Sequence, residues 1–309
     1  MYEKDQSPIE DLIHLYVDGA FSRRELISRL VRYTGSVAAA VAGSIEGVYA
    51  QSGPSCPASA SVAADAPDLN ISDIQFPGEA GMVFGHLAYP KSTDQQSWPG
   101  VIVIHENRGL VEHIKDVTRR AARAGFVGLG VDLLSRQGGT GQFTDPAQQG
   151  AAYGCTTQDE RRSDLISGFN YLKSLDIVRA GRIGVVGFCA GGGNVWDLAV
   201  NLEELNAAVA FYGTPLPTTE QIEKIKAPVM GIYAEMDRAL TLRTTPVVTE
   251  MISRQKIFGF HIYQGVGHAF HNDTGPAYNS TAACDAWAQT LAWFNKFLPP
   301  PAPPTPPAS

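Results

Sequence analysis

The run Arg182-Ile-Gly-Val-Val-Gly187-Phe188-Cys189-Ala190-Gly191-Gly192-Gly193 constrains the fold of this chain more than any other stretch. An apolar β segment enters Gly-x-Cys-x-Gly and leaves into a helix, which puts one side chain at the tip of a sharp strand–turn–helix elbow. Such a turn strains its central residue, and side chains at Gly187 and Gly191 would collide with the flanking strand and helix. The helix that follows aims its N-terminal N–H groups at the sulfur, favouring a thiolate and any negative charge that develops beside it. The same residues also suit a plain glycine-rich turn around a buried, inert cysteine. The surroundings decide between the two.

Those surroundings are an alternation of short apolar runs and helical patterns over residues 69–298. Ile71–Phe76 and Met82–Ala88 alternate in the strand manner and predict an opening antiparallel pair. Val101–His105, Phe126–Leu133, Arg182–Phe188, Ala207–Tyr212, Pro228–Ala234 and Ile257–Tyr263 read as further strands. Helices are expected around Val111–Ala124, Asp159–Leu175, after Gly191, near Leu242–Arg254 and over Thr281–Leu298. This order predicts an α/β domain with a mostly parallel central sheet flanked by helices on both faces. The path of the Gln137–Tyr153 excursion does not follow from the pattern.

Composition narrows the function classes. The 309 residues are 44% hydrophobic and 18% charged, and the formal net charge is −7. Wholesale disorder needs lower hydrophobicity, and nucleic-acid binding needs a basic face. No apolar run reaches the roughly 18 residues of a membrane span. The four cysteines (Cys56, Cys155, Cys189, Cys284) include no CxxC pair, which argues against structural zinc. A Cys155–Cys284 disulfide and free thiols at both positions are equally compatible with the sequence.

A base and an acid stand in the right order behind the elbow. His268 lies in the glycine-flanked loop Gly265-Val-Gly267-His268-Ala-Phe270, after the Ile257–Tyr263 run. Asp237 follows the Pro228–Ala234 run. The order Cys189, Asp237, His268 is the nucleophile–acid–base order of α/β-hydrolases, each residue following a strand C-terminus. Imidazole can take the thiol proton while the carboxylate fixes its tautomer. Glu235 is a competing acid. His261 reads as a packed strand residue, and His271 lacks the glycine loop. The elbow rule makes the Ala190 backbone N–H an oxyanion donor.

Taken together, the segments Val103-Ile-His-Glu-Asn-Arg-Gly109, Asp132-Leu-Leu-Ser-Arg136, Gly187-Phe-Cys-Ala-Gly-Gly-Gly193 and Gly267-His-Ala-Phe-His-Asn-Asp273 resemble the dienelactone hydrolase (carboxymethylenebutenolidase) family. The resemblance implies the α/β-hydrolase fold, a Cys189–His268–Asp237 triad and a thioester acyl-enzyme formed from a lactone or ester. It implies that Glu106 contacts the resting thiol, that Arg136 binds a substrate carboxylate with its bidentate fork, and that the Asn107 N–H completes the oxyanion hole. Read without the resemblance, Glu106 could be a strand-end carboxylate paired with Arg108, and Arg136 a solvated loop arginine. Dienelactone-cleaving members carry a second arginine four residues after the histidine, where this chain has Asn272. A broad carboxylesterase or thioesterase is therefore the nearest alternative, ahead of a non-catalytic small-ligand binder or a thiol redox protein. No metal or organic cofactor is required, and no P-loop lysine pattern accompanies Gly191–Gly193.

Outside this body, residues 1–52 read as a helical extension, 53–68 as a Pro/Ser/Ala linker and 299–309 as a Pro-rich tail. The extension resembles one carried by a bacterial branch of the family. Arg23-Arg24 with Val48-Tyr49-Ala50 fits a twin-arginine export signal; six acids against five bases in residues 1–35 fit a retained pair of helices. Export is the consequence of the first reading. A cytoplasmic protein, with the extension packing on the body or pairing subunits into a homo-oligomer, is the consequence of the second.

Overall fold

A computed structural model describes residues 61–92 and 97–299. The extension, the first part of the linker with Cys56, and all of the tail but Pro299 lie outside the described residues. Eight strands form one sheet in the order β1-β2-β4-β3-β5-β6-β7-β8. They are β1 (Leu69–Gly78), β2 (Gly81–Pro90), β3 (Trp98–Ile104), β4 (Val127–Val131), β5 (Val178–Phe188), β6 (Ala207–Phe211), β7 (Val229–Ala234) and β8 (Phe258–Tyr263). β1 and β2 pair antiparallel from Leu69↔Pro90 to Gly78↔Gly81, and β2 pairs antiparallel with β4. All other neighbours are parallel. The expected mixed sheet with an antiparallel entry is the one observed.

Side chains sort to the two faces with the period of two that pleating imposes. Ile102, Ile104, Val185, Ala208 and Ala210 join one buried cluster; Val101, Val103, Val186, Phe188, Val209 and Phe211 join the other. Both faces are covered, which is why β3 and β4 contain no exposed residue. Helices α1 (Glu112–Arg123), α2 (Pro146–Gly154), α3 (Gln158–Ser174), α4 (Ala190–Asn201), α5 (Thr219–Ile222), α6 (Arg238–Leu242), α7 (Thr245–Ser253) and α8 (Ser280–Phe297) supply the covering layers. Leu165, Phe169, Trp196 and Met251 close the first cluster, and Ile114, Val117 and Phe294 the second.

Three local departures have identifiable causes. The strand expected over Phe126–Leu133 stops at Val131, because the buried Asp132 carboxylate accepts from the N–H groups of Leu134 and Thr140 and turns the chain. The helix expected near Leu242–Arg254 is α7, which begins only at Thr245, and a separate short helix, α6, ends at Leu242. Pro246, in the first turn of α7, has no N–H to continue the earlier helix and is pre-set to begin a new one. Within the expected linker, Val62 and Ala66 are buried against Leu69, Ala88 and Ala122. The Val62 backbone is held there by Asp116 at 2.5 Å and Arg119 at 2.6 Å.

The topology also fixes where a site can lie. After β3 the chain places β4 on one side, then returns to place β5 on the other. The strand order reverses between β3 and β5, and the crevice beyond the C-termini of such strands is where open α/β sheets bind ligands. The loop after β3 and the elbow after β5 meet at that switch point.

Candidate active site

β5 delivers Cys189 at φ 54° and ψ −117°, a left-handed conformation that L-residues adopt only under constraint. The Cys189 N–H donates to the Phe211 carbonyl at 3.1 Å, tying the elbow to β6. Glycines make the turn sterically feasible. A Cβ on Gly187 would lie 2.3 Å from the Gly191 carbonyl oxygen, and one on Gly191 would lie 2.4 Å from that of Ile104 and 2.5 Å from that of His105. The second close approach brings the start of α4 against the end of β3 at Ile104 and His105. The half-buried sulfur sits at the N-terminus of α4, whose first N–H groups have no partner within the helix.

The acid and base loops are laced together before either touches Cys189. Glu235 N–H donates to the Tyr263 carbonyl at 2.9 Å and Met236 N–H to the Val266 carbonyl at 3.0 Å. The Glu235 carboxylate accepts from Gly265 N–H at 2.9 Å, so this residue braces the loop. Asp237 instead reaches the imidazole: His268 Nδ1–H donates to Asp237 Oδ2 at 2.6 Å. That bond leaves Nε2 as the nitrogen that titrates. The His268 pKa is raised to about 9, first by the neighbouring Cys189, then by Asp237, against the opposing effect of burial. Asp237 and His268 are thus joined by a hydrogen bond, and Cys189 lies near enough to act on the imidazole.

The competing histidines lie elsewhere. His261 is inside β8, and burial lowers its pKa. His271 is fully enclosed, with its ring stacked on Phe188 at 4.9 Å, and burial drives its pKa well down.

The remaining predicted residues are distributed unevenly. Glu106 is half-buried in the β3 loop, where Oε2 accepts from the Asn272 amide at 2.9 Å. The Asn272 carbonyl oxygen in turn accepts from Thr274 N–H and Oγ1–H. The position that would carry an arginine is therefore a neutral amide fastened to Glu106. Arg136 is engaged as well: its Nε and Nη2 donate to the two oxygens of Asp164 at 3.0 and 2.9 Å. Asp164 is 3% exposed, and burial raises its pKa despite Arg136. Arg136→Ala leaves that carboxylate unpaired, and is expected to cost about 3 kcal/mol of stability. The check is a urea melt beside the KM for a neutral ester. A lower midpoint with an unchanged KM supports a structural pair, and the reverse assigns Arg136 to substrate.

Some neighbours of the thiol carry no sequence signature. Tyr212 leaves β6 at φ 36° and lays its ring 4.8 Å from that of His268. Its pKa is pushed well up by burial and by Glu106 and Cys189. Tyr153, at the end of the excursion whose path the pattern left open, accepts from Asn194 of α4 at 3.0 Å and carries the Arg161 guanidinium 4.7 Å over its ring. Burial and the nearby Cys189 raise its pKa, while Arg161 lowers it. Tyr212 closes the expected Ala207–Tyr212 strand, a place that does not by itself mark its ring as a neighbour of His268.

Cys155 is a free, exposed thiol and Cys284 is disulfide-bonded, so these two are not paired with each other. Among the described residues no cluster of three or more His, Cys, Asp or Glu could hold a metal ion, and no helix is long and apolar enough to cross a membrane.

Comparison with known proteins places the chain in a family. The profile of the dienelactone hydrolase family matches residues 84–298. A protein of Methylorubrum extorquens, provisionally named carboxymethylenebutenolidase, is 29% identical over 298 residues, covering 93% of this chain and 97% of its own length. Protein usf of Aquifex pyrophilus is 31% identical over 239 residues, 73% of this chain and 98% of that protein. A crystal structure from Klebsiella pneumoniae, provisionally titled dienelactone hydrolase, superposes with a TM-score of 0.68 at 25% identity, over 74% of this chain and 99% of that one.

Proposed function

This chain belongs to the dienelactone hydrolase family, and on that premise we propose that it hydrolyses esters or lactones by acyl transfer to Cys189, with His268 as base and Asp237 as its orienting acid. The observation that carries the reading is the His268 imidazole, held by Asp237 at 2.6 Å through Nδ1, with Cys189 near enough to be the main cause of its raised pKa. An imidazole pinned on one nitrogen by a carboxylate has the other committed to a single task.

The scheme runs in two halves. His268 Nε2 holds the Cys189 proton, and the thiolate adds to the acyl carbon of the substrate. The carbonyl electrons pass to oxygen, which the backbone N–H groups of Ala190 and Asn107 receive. One such donor is worth about 3 kcal/mol to the transition state. Collapse breaks the C–O bond, and the alkoxide leaves with the proton from His268. In a lactone the ring opens and both products stay on one molecule, joined to sulfur as a thioester. His268 then takes a proton from water, the resulting hydroxide adds to the thioester, and a second collapse releases the carboxylic acid and restores the Cys189–His268 pair.

One observation favours an uncharged ester over a substrate bearing a carboxylate. The Arg136 fork is closed on Asp164, and Asn272 offers a neutral amide already bonded to Glu106. Mass spectrometry tests the covalent step: after mixing with p-nitrophenyl acetate, an acetyl group is expected on the peptide containing Cys189, removable by hydroxylamine. Acetyl on any other residue, or p-nitrophenol released with no adduct in single-turnover quench, rejects the scheme. A kcat/KM higher for the neutral ester than for carboxymethylenebutenolide supports the uncharged substrate; the opposite order rejects it.

A further inference from the structure

Behind the Cys189–His268 pair lies a set of buried polar groups that acyl transfer does not use. Three consecutive residues beyond the base loop build one side of it. His271 stacks on Phe188, the Asn272 amide donates to Glu106 Oε2 at 2.9 Å, and Asp273 accepts from His113 Nδ1 at 3.0 Å. The second oxygen of Asp273 accepts from Arg120, which also holds Asp116. His113 and both of these residues belong to α1. His113 is 4% exposed and stands between the ion-paired Asp273 and the interior.

The hydrogen-bond accounting of this region does not close within the protein. Because His113 donates Nδ1–H to Asp273, and burial lowers its pKa against Asp273 and Glu106, its Nε2 carries a lone pair. That atom is buried and has no partner among the described residues, and the same holds for Glu106 Oε1; the Tyr212 hydroxyl, with only the His271 backbone N–H beside it, has no acceptor for its own proton. Asn272 and Asp273, adjacent in the chain, hold Glu106 and His113 respectively, the His113 ring lies 6.2 Å from that of His271, and Phe188 stacks between His271 at 4.9 Å and Tyr212 at 6.5 Å, so the three groups share one neighbourhood. His271, Arg120 and Asp273 also face it, with Cys189 acting on Tyr212 from the site side. Glu106 Oε1 and His113 Nε2 are both acceptors and repel if brought into direct contact. What satisfies them is a donor with two hydrogens that can also accept one from Tyr212. A buried water, which makes about three hydrogen bonds to otherwise unpaired groups, has that valence.

We propose that His113 is a positioning residue for Glu106, acting through one internal water that donates to Glu106 Oε1 and His113 Nε2 and accepts from the Tyr212 hydroxyl. Glu106 is then gripped on both oxygens, by Asn272 and by the water, and the grip is anchored on α1 through Asp273. Asn107 is the next residue in the chain. Fixing Glu106 therefore fixes the backbone N–H that receives the oxyanion, a group needed in the transition state rather than in substrate binding. This functional half rests on the acyl-transfer reading; the water itself does not.

The experiment has two arms. In the kinetic arm, His113→Phe, which cannot hold the water, is expected to lower kcat about tenfold while KM stays within about twofold. His113→Gln keeps a polar group at that place and retains most of kcat. Glu106→Gln combined with His113→Phe is expected to cost no more than the larger single change, because both break the same link. Lost thermal stability with unchanged kcat in His113→Phe, or costs that multiply in the double variant, overturns the proposal. The second arm is a high-resolution crystal structure of the unaltered protein, which needs no turnover. A water within hydrogen-bond distance of Glu106 Oε1 and His113 Nε2 is the expected result; a dry chamber or a direct contact between the two overturns it. Should Cys189→Ala keep full activity, the triad reading fails while the crystallographic arm still decides the water.

Discussion

Cys189→Ala is expected to lower kcat/KM for a short p-nitrophenyl ester by about 10^4-fold or more. The variant keeps the His268–Asp237 bond and the backbone N–H groups proposed as oxyanion donors, so what remains on the proposed scheme is water attack assisted by base and oxyanion hole. Alanine adopts φ 54° no more easily than cysteine does, and the strain at the elbow is unchanged. The fold should therefore survive, with a thermal midpoint within a few degrees of the parent, and the kinetic loss reads the sulfur alone. Cys189→Ser separates the roles further. Its hydroxyl occupies the same space but gives up its proton far less readily, so most of the loss should persist. Activity within tenfold of the parent in Cys189→Ala would remove the cysteine from the chemistry, whatever its geometry suggests.

The frame of this molecule was legible because backbone geometry writes itself into residue type. Gly187 and Gly191 are required where a Cβ would meet backbone oxygens, and their spacing around Cys189 exposes the turn. Val101 to Ile104 and Val185 to Phe188 are continuous apolar runs because both faces of their strands are covered. The strand-terminal placement of Asp237 and His268 follows from the same parallel order. The structure also separates Asp237 from Glu235, two candidates that the sequence offers side by side: one holds the imidazole, the other the base loop.

What was not legible is whatever depends on a partner far away in the chain. Arg136 in its motif looks like a free cation; only the fold shows that Asp164, one helix later, takes its fork. Asn272 is a visible departure from the family pattern, yet its bond to Glu106 spans 166 positions. His113 reads as an ordinary helix residue until the chain returns to lay Asp273 beside it. These contacts decide which charges and hydrogen-bonding groups are free to meet a substrate, so the sequence exposes the candidate triad more readily than the substrate it would serve.

Asp237→Asn is expected to lower kcat/KM by about 10^3- to 10^4-fold while leaving KM little changed, since the carboxylate acts on the imidazolium that forms during reaction. It should also change how stability depends on pH, and the sign follows from the direction of the shift. The His268 pKa in the folded protein is raised to about 9 from 6.5. A raised pKa means that the folded state binds the proton more tightly than the unfolded one. The corresponding stabilisation is complete below pH 6.5 and disappears as pH climbs through about 9. The parent thermal midpoint should accordingly fall across that window. Cys189 is the largest cause of the shift and Asp237 a smaller one. The fall should therefore shrink modestly in Asp237→Asn and more in Cys189→Ala. Partial exposure of the ring, 37% for the side chain, screens the effect and keeps it to a few degrees. Equal slopes in all three proteins would mean that His268 is not coupled to either neighbour in solution. A slope reduced in both variants, in that order, ties the sulfur, the imidazole and the carboxylate into one titrating unit by a measurement that needs no substrate.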